Sequence, residues 1–86
     1  MDYGKIMGCE ISFIPIKSND YINEINEVLA IIAGSGLSHT VGAMSTAISG
    51  DKERLFSLIQ EIYTKMEDKT LFSMQLKLSN ICGCSK

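Results

Sequence analysis

Glu10, Ser12, Ser45, Ser73 and Gln75 are the residues whose types could hold a small polar ligand, and each falls in a stretch where polar and apolar side chains alternate. Successive side chains of a strand point to opposite faces of a sheet. In Cys9-Glu10-Ile11-Ser12-Phe13-Ile14-Pro15-Ile16, one face carries Cys9, Ile11 and Phe13, and the other carries Glu10, Ser12 and Ile14. The second face sets a carboxylate, a hydroxyl and an aliphatic surface in a row. A carboxylate there balances a cation or accepts from an amino heterocycle. It reads equally well as a solvated charge, or as half of a cross-strand pair with Lys77. Two or three short hydrogen-bonding groups above an apolar floor suit a heteroaromatic ligand, although each of these serines taken alone is an ordinary surface hydroxyl.

Other chemistry has less to work with. The chain has a single histidine, His39. Its place in a short strand suits a satisfied structural residue better than a ligand contact. No nucleophile, base and orienting group are set at a telling spacing. Metalloprotease, phosphate-loop and dinucleotide signatures are missing, so no catalysis and no cofactor are expected. Three cysteines, Cys9, Cys82 and Cys84, are an odd number. Thiols in a reducing compartment fit them better than a disulfide framework. If the chain end returns toward Cys9, the three thiols could bind a soft metal. Met7, Met44, Met66 and Met74 read as core or interface filler.

These residues must be positioned by a small scaffold. With 86 residues, 45 % of them hydrophobic, the chain is expected to form a single globular domain over 1–86. A net charge of −2 with no basic stripe argues against nucleic acid. No apolar run approaches the roughly 20 residues that cross a bilayer, and the first residues do not read as a signal peptide. A cytoplasmic location with no membrane partner is the expectation.

The patterning predicts a strand over 6–16, then a helix capped by Ser18 or Asn19 with a stripe of Ile22, Ile25, Val28, Leu29 and Ile32. Asn23, Glu24, Asn26 and Glu27 fall on its other side. Gly34-Ser35-Gly36 ends it. A strand over 37–41, a tight turn at Gly42-Ala43 that pairs Val41 with Met44, and a strand over 44–49 follow. Gly50-Asp51 opens a second helix with the stripe Leu55, Leu58, Ile59, Ile62 and Met66. A last strand over 70–78 sets Phe72, Met74, Leu76 and Leu78 on one face. The order βαββαβ predicts an α+β, ferredoxin-like fold: a four-stranded antiparallel sheet with two helices on one face. Ile11, Phe13, Met44, Ile48, Phe72, Met74 and Leu76 belong under the helices. Glu10, Ser12, Ile14, Ser38, Thr40, Ser45, Ala47, Ser49, Ser73, Gln75 and Lys77 belong on the bare face. Ile14, Ala47 and Leu71 beside small hydroxyls make that face a candidate contact surface.

Two segments carry a family resemblance. Gly8-Cys9-Glu10-Ile11-Ser12-Phe13-Ile14-Pro15-Ile16 resembles the opening strand of the YkoF-like proteins, which bind thiamine and its hydroxymethylpyrimidine portion. Ala43-Met44-Ser45-Thr46-Ala47-Ile48-Ser49-Gly50 resembles the third-strand motif of the same superfamily and of the related small UPF-type thiamine-binding proteins. The likeness runs from about Gly8 to Cys84. It implies a ferredoxin-like domain, a thiamine-related ligand and self-association through sheets as a dimer or tetramer. The motif positions it carries over are Ser12, Met44, Ser45 and Thr46. Where relatives place polar or charged residues before the third strand, this chain has Gly42 and Ala43. With Glu10, Ser73 and Gln75 from the alternation, these positions make up the expected ligand set. A soft-metal domain using Cys9, Cys82 and Cys84, and an association module without a ligand, are the alternatives.

Overall fold

The computed structural model describes residues 6–80. The elements run β1 (Ile6–Ile16), α1 (Tyr21–Gly34), β2 (Ser38–Val41), β3 (Thr46–Asp51), α2 (Lys52–Glu67) and β4 (Leu71–Ser79). The sheet order is β2-β3-β1-β4, and every adjacent pair is antiparallel. This is the ferredoxin-like arrangement that the alternation predicts.

The register shows which residues share a face. Cys9 stands opposite Ile48 and Leu78, and Ile11 opposite Thr46 and Leu76. Met7, Cys9, Ile11 and Ile48 are buried with Val28 and Ile32 of α1 and Leu55, Leu58, Ile62 and Met66 of α2. The α2 stripe repeats at three- and four-residue steps, which keeps one helix face on the sheet. Asp51 caps this helix, its side chain accepting from the Arg54 N–H at 3.0 Å. The Arg54 guanidinium donates to the Ser35 carbonyl at 2.6 Å, tying the start of α2 to the end of α1. Phe13 and Phe72 pack at 4.8 Å between centroids, and Tyr63 meets Phe72 edge-on at 5.4 Å.

Several expectations need correction. The β2–β3 hairpin does not close at Gly42-Ala43. Val41 pairs with Thr46, and the loop 42–45 is closed by the Gly42 N–H donating to the Ser45 carbonyl at 2.8 Å. Met44 therefore leaves the strand and is 88 % exposed instead of lying under a helix. Ser45 leaves the strand too, and so is not on the bare sheet face. The α1 cap is Asp20, not Ser18 or Asn19; Ser18 instead accepts from the Asp20 N–H. Ile22, expected in the α1 stripe, is exposed. Glu24 and Glu27 are half-buried rather than solvated: Glu27 pairs with Lys69 after α2, and Glu24 Oε1 is enclosed with no partner among the described residues. Leu76 and Leu78 face the helix side but stay exposed, because β4 is an edge strand.

Candidate functional site

The strands of the sheet have unequal reach. β1 has 11 residues and β3 has six. The β1–β3 ladder stops at Ile11 and Thr46, while β1 and β4 continue paired to Ile16 and Leu71. Beyond Ile11, the inner edge of β1 is met by the loop 42–45 instead of a strand, and the Ser12 hydroxyl donates to the Met44 carbonyl at 3.2 Å.

That junction leaves a slot of about 130 Å³ between α1 and the sheet. Ile25, Val28, Leu29 and Ile32 form its helix side. Ile11, Phe13 and Thr46 form its sheet side, and residues 41–45 form its mouth. A dry cavity of about 150 Å³ holds one benzene ring, so the slot matches a single aromatic ring. Thr46 is only 6 % exposed. Among the described residues the enclosed side-chain oxygen without a partner is Glu24 Oε1, not the Thr46 hydroxyl. The slot is thus apolar, with a threonine in its lining.

The bare face holds a second, shallower depression of about 630 Å³. Its floor follows from the register: Ser38, Ser49, Gly8 and Ser79 align across the four strands, and Thr40, Ala47, Glu10 and Lys77 align in the next row. Glycine and alanine at the centre leave the hollow. Glu10 and Lys77 are cross-strand partners, yet no ion pair joins them among the described residues.

The seven expected ligand residues therefore divide. Met44, Ser45 and Thr46 line the slot on the helix side. Glu10, Ser12, Ser73 and Gln75 belong to the opposite face, where Ser12 pairs with Gln75 and Ser73 with Ile14. Glu10 and the Ile14–Ser73 pair are four residues apart along β1, or about 13 Å at strand rise. One ring cannot touch both. Phe13, Ile25 and Leu29 line the slot and were not expected there. Helical spacing marked Ile25 and Leu29 as apolar, but only tertiary packing brings them to the loop.

His39 Nδ1 lies 3.0 Å from the Leu37 carbonyl. A carbonyl only accepts, so the ring donates through Nδ1, as in a satisfied structural residue. His39 aligns with Ile48 on the face opposite Glu10, so the two do not form an acid–base pair. Cys9 is buried, and burial, aided by the Glu10 carboxylate, pushes its thiol from 9.0 up to about 11. The thiolate that a soft-metal site needs is disfavoured there. Cys82 and Cys84 lie outside the described residues. Among the described residues no cluster of metal-ligating side chains occurs, and no helix is long and apolar enough to cross a membrane.

The sequence model of the YKOF-related family matches residues 6–84. Among solved structures, the chain is similar to a protein from Thermotoga maritima described as a candidate thiamine biosynthesis/salvage protein. The two are 20 % identical, over 86 % of this chain and 82 % of that one, with a TM-score of 0.78. A Streptococcus pneumoniae protein is 16 % identical over 86 % of this chain and 84 % of that one, with a TM-score of 0.79. A domain of unknown function from Bacillus cereus is 19 % identical over 87 % and 75 %, with a TM-score of 0.76. At these identities the likeness speaks for the fold. No curated protein matches the chain.

Proposed function

The chain belongs to the YKOF-related family, and on that premise we propose that it is a non-catalytic binding protein for thiamine or its hydroxymethylpyrimidine portion, serving salvage or transport. The observation that carries this reading is the slot: a ring-sized apolar space of about 130 Å³ lined by Met44, Ser45 and the buried Thr46. Hydroxymethylpyrimidine is a single ring bearing donors and acceptors. Its ring suits the aliphatic walls, and one of its polar groups would hydrogen-bond the Thr46 hydroxyl. The similar Thermotoga maritima protein, described as a candidate for thiamine biosynthesis or salvage, points the same way.

Self-association is part of the reading. Ile14, Ile16 and Leu71 are exposed at 46 %, 43 % and 68 % and share the bare face. A second copy packing on that face would cover them. Sedimentation is expected to show a dimer or tetramer.

Isothermal titration with hydroxymethylpyrimidine and with thiamine tests the ligand. Saturable binding of the first, lost in a variant whose slot is filled by Leu29→Trp, is the expected result. No heat and no thermal shift at millimolar ligand would sink the proposal. Zinc or copper(I) titration in parallel separates it from the metal alternative.

A further inference from the structure

We infer that the loop 42–45 is a closing element for the slot, with Ser12 as the positioning residue that holds its backbone and Met44 as the side chain that folds over a bound ring. This inference rests on the reading of the slot given above. It also reassigns Ser12, which no longer needs to touch the ligand.

Three observations converge. Two hydrogen bonds hold the loop backbone: Gly42 N–H to the Ser45 carbonyl at 2.8 Å, and Ser12 Oγ to the Met44 carbonyl at 3.2 Å. The Met44 side chain, by contrast, is 88 % exposed, the most exposed large apolar group among the described residues. Yet Met44 belongs to the lining of an apolar slot. A thioether left in water at the rim of such a slot gains apolar contact by turning inward once a ring supplies a surface to cover. Methionine also suits that surface, because its unbranched chain adapts and its sulfur packs favourably against aromatic rings. Gly42 shows how tightly the loop is built. A Cβ there would stand 3.0 Å from the Ser45 carbonyl oxygen, so a side chain at this position would push the closing hydrogen bond apart.

Ser12 lies on the bare face, in register with Gln75, while the slot opens on the other side. Its hydroxyl reaches the loop because β3 has ended and the loop passes the free edge of β1. Without that hydrogen bond the Met44 backbone is tied only through the Gly42–Ser45 closure. The loop should then open more often, and ligand should exchange faster.

The test uses the full chain labelled with carbon-13 at its methionine methyls, five in all, and hydroxymethylpyrimidine as the probe. In the free protein, Ser12→Ala is expected to speed amide hydrogen exchange at Gly42, whose N–H closes the loop on the Ser45 carbonyl, by about fivefold, the weight of one neutral hydrogen bond. Ser12→Thr keeps a hydroxyl and should restore the wild-type rate. On saturation with the probe, the Met44 methyl is expected to move upfield under the ring. Met44→Ala should weaken binding roughly tenfold, mostly through faster dissociation, while Met44→Leu keeps most of the affinity. Unchanged loop exchange in Ser12→Ala overturns the role of Ser12. A Met44 methyl that stays put at saturation overturns the closing role. If wild type binds no probe at all, the reading of the slot fails and the role of Met44 fails with it. The exchange comparison needs no ligand and judges Ser12 by itself.

Discussion

Replacing Thr46 by valine should weaken the ligand and leave the fold nearly as stable, and the contrast makes the variant diagnostic. The two side chains are close in shape, so the change removes a hydroxyl and leaves packing nearly intact. Thr46 is 6 % exposed, but its hydroxyl is not an enclosed atom left without a partner. Valine therefore relieves no buried orphan, and stability should change by less than about 1 kcal/mol, which for a domain of this size keeps the melting midpoint within about 4 °C. The same hydroxyl is the group offered to the ring, and losing one neutral hydrogen bond weakens binding by about fivefold. Thermal unfolding followed by circular dichroism gives the first number, and titration with hydroxymethylpyrimidine gives the second. A midpoint that falls by more than about 4 °C means that the hydroxyl is already engaged in the free protein. Unchanged affinity beside an unchanged midpoint means that Thr46 faces no ligand. Either result removes the physical basis for placing the ring in the slot.

Two further outcomes follow from burial and backbone geometry. The Cys9 thiol, pushed to about 11 from 9.0, should react with a thiol reagent at pH 8 about a hundredfold more slowly than a free thiol, measured in a variant lacking Cys82 and Cys84. The folded state holds this proton more tightly than the unfolded chain, so the contribution to stability is complete below pH 9 and is lost as pH rises toward 11; Cys9→Ala should flatten that decline in unfolding midpoints taken from pH 8 upward. Gly50 has φ 153, and a Cβ there would sit 2.7 Å from Leu37 Cδ2. Gly50→Ala should cost about 1–3 kcal/mol in urea unfolding. Adding Leu37→Ala relieves the clash but not the φ, so it should not restore wild-type stability.

The fold could be read from the chain because its two periods are clean. Phe72, Met74, Leu76 and Leu78 alternate with polar residues, and Leu55, Leu58, Ile62 and Met66 keep helical spacing. Even the misread hairpin left most faces correct. Pairing Val41 with Thr46 instead of Met44 moves the register by two residues, and a shift of two keeps every side chain on its own face. Ala47, Ile48 and Ser49 therefore lie where the alternation puts them, while Met44 and Ser45 fall into the loop. Gly42-Ala43 has the residue types of a two-residue turn, whereas in the structure Gly42 closes on Ser45. Resemblance names the Thr46 motif position, but its place beneath α1 depends on where the hairpin closes. The slot itself could not be read. It forms where Ile25 and Leu29 meet Phe13 beside the end of β3, and no local pattern encodes that meeting.

The slot has a structural cause in the mismatch between β1 and its two neighbours. β4 follows β1 to Ile16, but β3 begins only opposite Ile11. α1 starts at Tyr21, just past the overhang, and runs back over it toward the fully formed part of the sheet. Its first half thus passes over a place where one strand is missing. Val28 and Ile32 reach the continuous sheet and are buried, while Ile25 and Leu29 are only partly covered. The loop 42–45 occupies the missing strand's position, but it sends Met44 outward rather than inward. A hairpin that closed at Gly42-Ala43 would have extended β3 alongside Ser12 and filled the gap with its own side chains. The looser turn gives up that packing and leaves a ring-sized apolar space and an exposed methionine within one turn of chain. Loss of packing in a domain this small is costly. Its coincidence with the motif residues Met44, Ser45 and Thr46 is what a binding site predicts.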